Sequence, residues 1–289
     1  MNSTSKWVAG ARPRTLPAAI SPVLIGTALS YRIATHVSYL NSFLALIVSL
    51  SLQIAVNYAN DYSDGVKGTD EERVGPVRLV GSGLASAAAV KRAAFITFGV
   101  AAVAGTILAT RTSYFLILVG IISIIAAWTY TGSSKPYGYR GYGEISVFLF
   151  FGVVATVGTF YVSTQSFSWK AILFSIPVGA LSCAILAINN LRDLPKDKAV
   201  GKKTLAVRMG DQKARAFFNS LILIAHATSL LGVLVSPWSV ATLALAPFSL
   251  QIMRSIKNGA QGVELIPLLG KTGRVQLLLS TTLAIALLI

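Results

Sequence analysis

The sequence has few charged residues, and this scarcity excludes an ordinary soluble domain. Charged side chains make up 12% of the 289 residues, whereas 54% are hydrophobic and the mean hydropathy is +0.68. A soluble globular domain carries about 25% charged residues. The chain is therefore expected to be an all-α membrane protein.

Cysteine and histidine are also scarce. The single cysteine, Cys183, lies inside an apolar run, so a disulfide framework is excluded. His36 and His226 are expected on or near the outer side, away from the polar motifs described below. A metal site in this chain is therefore expected to use carboxylate and amide oxygens.

Long apolar segments are abundant, and a transmembrane helix needs about 20 mostly apolar residues. The first segment follows basic residues, as a signal peptide does, but more apolar segments follow it, so it is expected to remain as a span. We expect residues 1–289 to form a single polytopic domain, a bundle of nine transmembrane helices. The predicted spans are 15–31, 39–59, 93–110, 113–131, 144–162, 170–189, 216–235, 238–253 and 273–289.

The basic residues predict the orientation of these spans. With the N-terminus inside, only Arg32, Arg111 and Lys170 fall on the outer side, and the other 22 of the 25 basic residues fall inside. This positive-inside asymmetry predicts an N-in, C-out protein of a bacterial cytoplasmic (inner) membrane. The net charge of +15 then reflects orientation, and no nucleic-acid partner is expected. All ten acidic residues also fall inside, which indicates chemistry at the cytoplasmic face.

A polar motif closes the second predicted span. Asn57, Asp61 and Asp64 lie at helical spacings i, i+4 and i+7, and Asn60 lies four residues before Asp64. Residues at these spacings share one face of a helix. The motif therefore predicts a cluster of oxygen ligands at one end of this span.

A similar motif closes the sixth span. Asn189, Asp193 and Asp197 are each four residues apart, again on one helical stripe. Pro195 interrupts the motif and is expected to bend or end the helix, which places Asp197 in the following loop. Two facing motifs of this kind predict a second set of oxygen ligands opposite the first.

Oxygen ligands without histidine or cysteine favour Mg²⁺, which proteins bind through one or two carboxylates plus substrate phosphates. The alternative is that these residues only cap helices and form interfacial salt bridges. Carboxylates at the ends of membrane spans are costly, and this favours the functional interpretation. The predicted metal ligands are Asn60, Asp61, Asp64, Asn189, Asp193 and Asp197.

Basic residues in glycine-containing loops accompany both motifs. Lysine and arginine make charge-assisted hydrogen bonds to phosphate, and glycine lets backbone N–H groups approach it. The alternative is that these residues only attract anionic lipid. The predicted diphosphate contacts are Lys67, Arg78, Lys135 and Lys203.

Glu144 lies at the start of the fifth predicted span. It is either a base in the reaction or an acid that the helix dipole favours at this position.

Longer stretches of the sequence carry a family resemblance. The two motifs, followed by GKKT at 201–204, resemble those of the UbiA-type intramembrane aromatic prenyltransferases. The strings NYANDYSDGVKGTDEERVGPVRLVGSG, SKPYGYRGYGE, NNLRDLPKD and GKKTLAVRMGD resemble the family's 1,4-dihydroxy-2-naphthoate polyprenyltransferase branch. The resemblance implies nine helices around a central cavity, with a cytoplasmic-side cap and an apolar groove for the prenyl tail.

The resemblance also implies a reaction. A polyprenyl group would pass from polyprenyl diphosphate to 1,4-dihydroxy-2-naphthoate, with Mg²⁺ as cofactor and with loss of CO₂ and diphosphate, giving a demethylmenaquinol of menaquinone biosynthesis. Asp64 and Asp193 are expected to be catalytically essential. One departure leaves the number of metal ions open: Gly68 stands where the wider family often has a third acid, and Asp70 lies two residues further on.

Four residues are expected to handle the reacting groups. Tyr137 or Tyr139 would shield the allylic cation through a cation–π contact. Arg140 or Arg14 would bind the carboxylate of the acceptor. The alternatives are the same chemistry on another acceptor such as 4-hydroxybenzoate, or a membrane transporter. Transporter sites lie near the midplane of the membrane, whereas these acids lie at the inner rim.

Overall fold

The computed structural model describes residues 3–68 and 77–289, and every regular element within those ranges is helical. The expectation of an all-α protein is confirmed. Asp70, Glu71 and Glu72 lie outside the described residues. The α-helices are α1 (Ser3–Ala11), α2 (Pro17–Ile33), α3 (Tyr39–Val66), α4 (Ala87–Arg111), α5 (Phe115–Thr129), α6 (Gly143–Val147), α7 (Ala155–Thr164), α8 (Trp169–Ala199), α9 (Leu205–Met209), α10 (Asp211–Leu230), α11 (Ala246–Lys257) and α12 (Leu265–Leu288).

Shorter elements connect or extend these helices. A π-helix, Phe148–Val154, joins α6 to α7 and makes one long helical segment of the three. Hydroxyl caps begin several helices: Ser38 caps α3 and Ser86 caps α4, each accepting a hydrogen bond from a backbone N–H three residues on. The 3₁₀-helices are Pro13–Thr15, Tyr137–Arg140, Leu231–Leu234, Pro237–Leu245 and Gly262–Glu264.

The described residues include six helical segments that are long and apolar enough to cross a membrane. A seventh is obtained if Thr4–Thr15 and Pro17–Ile33, which meet at a bend of 56°, count as one span. Each of the nine predicted segments overlaps helical residues, but α5 is only 15 residues long. A multi-pass membrane protein is thus confirmed, while nine spans, the cap and the orientation stay predictions. The six segments are Tyr39–Val66, Ala87–Arg111, Gly143–Thr164, Trp169–Ala199, Asp211–Leu234 and Pro237–Lys257.

Helix α8 is the centre of the bundle. Of its most apolar stretch, 78% is buried within the protein, compared with 28–33% for the other five segments. Helices α2, α10 and α12 and the π-helix pack around it. Gly152 and Gly179 allow the closest approach, because a Cβ on Gly152 would lie 2.7 Å from the Gly179 Cα atom. Small residues of this kind let helix backbones meet within a membrane, where water does not drive packing.

Helix α8 does not end at its second proline. It continues through Pro195 to Ala199, so the expectation that Asp197 lies in the following loop is wrong. A proline inside a helix removes one backbone hydrogen bond, but neighbouring helices can compensate for that loss in a membrane bundle. Asp197 therefore occupies the last turns of the same helix as Asp193.

Candidate active site

A cavity of about 350 Å³ lies between α2, α3, α4, α5, α7, α8 and the π-helix. Its polar wall includes Asn60 and Asp64 near the end of α3, and its apolar wall extends along the same helix to Ala45. At a rise of 1.5 Å per residue, Ala45 and Asp64 are roughly 28 Å apart along the helix axis. The cavity is thus long and apolar, with its charged groups at one end.

Asp64 contacts three side chains from other parts of the described chain. Arg78 Nη2 lies 3.3 Å from Asp64 Oδ2, and Lys202 Nζ lies 3.3 Å from Asp64 Oδ1. The hydroxyl of Tyr139 also donates a hydrogen bond to Asp64 Oδ1. Three segments that are distant in sequence therefore converge on one carboxylate at the end of α3.

Lys202 connects the two motifs. Its ammonium group, 3.3 Å from Asp64, is also 3.8 Å from Asp197 Oδ1 on α8. Asp193, one turn earlier on α8, accepts two hydrogen bonds from its neighbour Arg192, at 2.7 and 2.8 Å. Both acids of the α8 motif line the cavity opposite Asp64. The predicted meeting of the two motifs is therefore present in the structure.

The asparagines of the motifs also reach the cavity wall. Asn60 Oδ1 accepts a hydrogen bond from the Thr131 hydroxyl at 2.7 Å, and Asn189 lies on the facing wall. Asn190, which was not among the predicted ligands, also lines the cavity and donates to Glu144 Oε1 at 2.8 Å. Glu144 is buried behind Asn190 and is not itself a wall residue.

Asp61 is the one predicted metal ligand that is not on the cavity wall. Its two carboxylate oxygens accept hydrogen bonds from the backbone N–H groups of Leu79, at 2.7 Å, and Val80, at 3.0 Å. Asp61 is on the same helix as Asn60 and Asp64 but points toward the segment that carries Arg78. Its role as a metal ligand stays a prediction that these contacts do not support.

Among the predicted diphosphate contacts, only Arg78 lines the cavity. Lys67 is exposed and donates to the carbonyls of Thr131, at 2.7 Å, and Ser133, at 3.3 Å. Although the residue as a whole is exposed, partial desolvation of the ammonium group lowers the pKa of Lys67. Lys135 and Lys203 are exposed and lie outside the cavity wall.

The arginines predicted to bind the acceptor are not wall residues either. Arg14 and Arg140 are both exposed and do not line the cavity, whereas Arg12 does. Arg12 adopts a left-handed backbone conformation, with φ 54° and ψ 69°, between α1 and the following 3₁₀-helix. A residue with a Cβ atom in this region carries strain, and such strain is often found at ligand sites.

A polar network holds this turn against α3. The Thr15 hydroxyl accepts hydrogen bonds from Gln53 Nε2, at 3.2 Å, and Asn57 Nδ2, at 3.1 Å, and donates to the Arg12 carbonyl at 3.0 Å. Asn57 Nδ2 also donates to the Ala11 carbonyl at 2.9 Å. These contacts fix the strained residue at the cavity wall.

Both predicted tyrosines line the cavity. The Tyr137 hydroxyl donates to the Ala126 carbonyl at 2.9 Å and lies 2.8 Å from the Ser146 hydroxyl. Burial raises the pKa of Tyr137, so its phenol is neutral at physiological pH. The ring of Tyr139 faces two ammonium groups, Lys202 at 4.3 Å and Lys67 at 5.1 Å from the ring centre. The shielding role stays a prediction for both residues.

Three cavity cations were missed by the sequence reasoning: Arg12, Lys196 and Lys202. The Lys196 Nζ atom is buried and has no hydrogen-bond partner within the described part of the chain. Lys196 lies inside the second motif, between Asp193 and Asp197, and this position could have identified it as a site residue. Nothing in the sequence shows that Lys202, and not its neighbour Lys203, lines the cavity.

The wall residues fit a hard metal ion. Within residues 3–68 and 77–289, no group of three or more histidine, cysteine or acidic side chains is close enough to hold a metal alone. The available donors are carboxylate and amide oxygens on facing helices. Mg²⁺ is usually bound by one or two carboxylates with substrate phosphates and water, so this donor set suits Mg²⁺ in the presence of a diphosphate.

Comparison with known proteins points to a single family. Residues 19–262 match the family model described as the UbiA prenyltransferase family. The chain is 47% identical over 287 residues to 1,4-dihydroxy-2-naphthoate octaprenyltransferase of Mycobacterium tuberculosis, covering 99% of this chain and 98% of the relative. It is 37% identical over 288 residues to the protein of the same name in Escherichia coli, covering 96% and 93%.

A solved structure shares the fold. The UbiA homologue from Archaeoglobus fulgidus bound to DMAPP and Mg²⁺ superposes with a TM-score of 0.66, covering 98% of this chain and 99% of that chain. The two sequences are only 16% identical, so this likeness concerns the fold. The overall arrangement of the helices is therefore one that is known in a solved protein.

Proposed function

This chain belongs to the UbiA prenyltransferase family, and from this premise we propose that it transfers a polyprenyl group from polyprenyl diphosphate to 1,4-dihydroxy-2-naphthoate. CO₂ and diphosphate are released, and the product is a demethylmenaquinol. The near full-length identity to two relatives named for this acceptor supports the choice of substrate. The bacterial relatives support a place in the cytoplasmic membrane, and the positive-inside asymmetry of the basic residues supports a site on the cytoplasmic side.

One observation carries the proposal. Lys202 lies between Asp64 on α3 and Asp197 on α8, at the polar end of a cavity whose remaining walls are mostly apolar. A prenyl diphosphate has the same division, with a charged head and a hydrocarbon tail. A transporter is not favoured, because the acidic wall residues lie at the ends of α3 and α8.

The motif residues would hold Mg²⁺. We assign this role to Asn60, Asp64, Asn189, Asp193 and Asp197, which face one another across the cavity end. When bound, Mg²⁺ neutralises the diphosphate and makes it a better leaving group. Use of a divalent metal is supported by the solved family structure that contains Mg²⁺.

The cavity cations would contact the diphosphate oxygens directly. Arg78, Lys196 and Lys202 all line the polar end, and their charge favours the increasingly anionic leaving group. The proposal does not include Lys67, Lys135 and Lys203, which the sequence predicted for this role, because none of them is on the described cavity wall. The apolar wall along α3, α4 and α5 would hold the prenyl tail.

The proposed reaction breaks a C–O bond and a C–C bond and forms one new C–C bond. The C–O bond between the prenyl group and diphosphate breaks, and its electron pair leaves with the diphosphate. The electron-rich naphthoate ring forms a C–C bond to the allylic carbon. The carboxyl group then leaves as CO₂, and its bonding electrons remain in the ring. Tyr137, a neutral phenol that lines the cavity, would shield the transient positive charge.

For the acceptor carboxylate we assign Arg12 in place of Arg14 or Arg140. Arg12 is on the cavity wall, and the hydrogen bonds of Thr15 hold it there in a strained conformation. A planar guanidinium matches the two oxygens of a carboxylate. The Gln53 and Asn57 amides beside it provide further polar groups for the hydroxyls of the ring.

An assay with purified protein tests the proposal. The mixture contains Mg²⁺, a radiolabelled polyprenyl diphosphate, and either 1,4-dihydroxy-2-naphthoate or 4-hydroxybenzoate. Prenylated product and CO₂ from the naphthoate alone are the expected result. Product from the benzoate alone would keep the reaction class and overturn the acceptor. If intact protein forms no product from either acceptor, the enzyme assignment fails.

A further inference from the structure

Asp61 anchors the polypeptide segment that carries Arg78. Its two oxygens accept the backbone N–H groups of Leu79 and Val80, at 2.7 and 3.0 Å. The residue is 0% exposed and is not on the cavity wall. We propose that Asp61 is a positioning residue, which fixes Arg78 beside Asp64 for diphosphate binding and does not itself bind the metal.

The residues around these hydrogen bonds show how the anchor works. Leu79, also 0% exposed, packs into the core, where its Cδ1 atom would lie 2.7 Å from a Cβ on Gly10 of α1. Val80 packs so tightly against Gly65 of α3 that any Cβ there would collide with it. The backbone at 79–80 is thus held on α3 by two hydrogen bonds and by packing on both sides.

This anchor determines where Arg78 can reach. Arg78 directly precedes Leu79, and its Nη2 atom lies 3.3 Å from Asp64 Oδ2. Asp61 and Asp64 are three residues apart on α3, so one turn of helix presents both the anchor and the partner of the arginine. A shift of the 79–80 backbone would move the guanidinium away from the polar end of the cavity.

The role requires a carboxylate. A carboxylate accepts hydrogen bonds at both oxygens, whereas the amide of asparagine offers one acceptor and one donor. In Asp61→Asn one backbone N–H group would therefore face a donor instead of an acceptor. The substitution keeps the size of the side chain, so it changes the anchor without opening a cavity in the core.

Hydrogen exchange of the ligand-free protein tests the anchor without any substrate. In Asp61→Asn the amides of Leu79 and Val80 should exchange about tenfold faster or more, while those of α8 are unchanged. Glu264→Gln is the matched control, because Glu264 is an exposed acid that accepts the Gln261 N–H at 3.0 Å outside the cavity. In the unmodified protein, both amides should exchange more slowly than that of the exposed Gly81. Equal exchange at Leu79 and Val80 in the variant and the unmodified protein would overturn the anchor.

A binding cycle tests the connection to Arg78, which rests on the proposed function. The probe is farnesyl thiodiphosphate with Mg²⁺, and no acceptor is present. Asp61→Asn and Arg78→Gln should each weaken binding about tenfold, and the double variant should be within about twofold of the weaker single variant, because coupled residues are not additive. The Mg²⁺ concentration for half-maximal binding should stay within about twofold in Asp61→Asn.

Two results would contradict the positioning role. Effects that multiply in the double variant would mean that Asp61 does not act through Arg78. A large rise in the Mg²⁺ requirement, with normal probe binding at saturating Mg²⁺, would make Asp61 a metal ligand. Failure of the unmodified protein to bind the probe would count against the proposed function instead, and the exchange experiment would still decide the anchor.

Discussion

The ammonium group of Lys202 lies 3.3 Å from Asp64 Oδ1, so a residue that follows α8 reaches the acid motif of α3. Its neighbour Lys203 is exposed, and the backbone N–H of Lys203 donates to the Tyr139 carbonyl at 2.8 Å. Two adjacent lysines therefore have opposite environments. This difference provides a matched pair for mutagenesis.

Lys202→Gln should weaken polyprenyl diphosphate binding, because a charged contact at the diphosphate is lost. A hydrogen bond to a charged group contributes about 1.5–3 kcal/mol, so the KM for the diphosphate should rise about tenfold to a hundredfold. Lys203→Gln should leave the KM unchanged. Steady-state kinetics with both variants checks this, and equal effects would remove Lys202 from the site.

Asp64→Asn and Asp193→Asn should abolish turnover while the protein remains inserted in the membrane. Removing a metal-binding carboxylate should lower kcat by about a hundredfold or more, because the metal stabilises the leaving group by several kcal/mol. Glu264→Gln, an exposed acid outside the cavity, is the control and should retain activity. Full activity of either purified aspartate variant would refute the assignment of the motifs.

Removal of divalent metal should have the same effect as loss of the motif acids. Excess EDTA in detergent should abolish product formation, and added Mg²⁺ should restore it, because the oxygen-only donor set suits a hard cation. Product formation is measured in the presence and absence of the chelator. Undiminished activity in EDTA would exclude a metal-dependent reaction.

Arg12→Gln should raise the KM for the naphthoate and leave the KM for polyprenyl diphosphate unchanged. Loss of one charged contact to the carboxylate predicts an effect of about tenfold to a hundredfold. The exposed Arg14 provides the control, and Arg14→Gln should behave like the unmodified enzyme. A larger effect on the naphthoate KM in Arg14→Gln than in Arg12→Gln would return the role to Arg14.

Gly152→Ala should destabilise the protein, since the added Cβ would lie 2.7 Å from the Gly179 Cα atom and would force the π-helix away from α8. Overpacking of this kind costs about 1–3 kcal/mol, which lowers the midpoint of thermal unfolding. Gly99→Ala on α4 is the control, because a Cβ there meets nothing within 4 Å. The free energy of unfolding of Gly99→Ala should be unchanged or higher by up to about 1 kcal/mol. Equal thermal midpoints for both variants would contradict the close contact.

The sequence was sufficient to predict the helical motifs and their meeting. Asn60 and Asp64 share a face because α3 continues as a helix to Val66, and helical spacing alone predicts this. The same spacing placed Asp61 with them, yet Asp61 is directed to the backbone of Leu79 and Val80. The spacing of residues along the sequence predicts roughly which face of a helix they share. The contacts of each side chain depend on the segment that packs against that face.

Two further differences from the sequence analysis arise at Arg12 and at Asp197. Arg12, not Arg14, reaches the cavity because residue 12 has a left-handed φ of 54°, which no periodic pattern predicts. Asp197 remains helical because packing around α8 compensates for Pro195. In each case tertiary contacts outweigh a local preference, and those contacts are set by distant parts of the chain.

The π-helix at Phe148–Val154 makes room for about one extra residue between α6 and α7. Its i→i+5 hydrogen bonds close a wider turn than those of an α-helix, so the extra residue is absorbed within the segment and the flanking helices stay nearly in phase. Deleting one residue here should therefore convert the segment to α-helix while α7 keeps nearly the same face toward the cavity. Chains of this family that differ by one residue at this point should still present the corresponding side chains of α7 to the substrate.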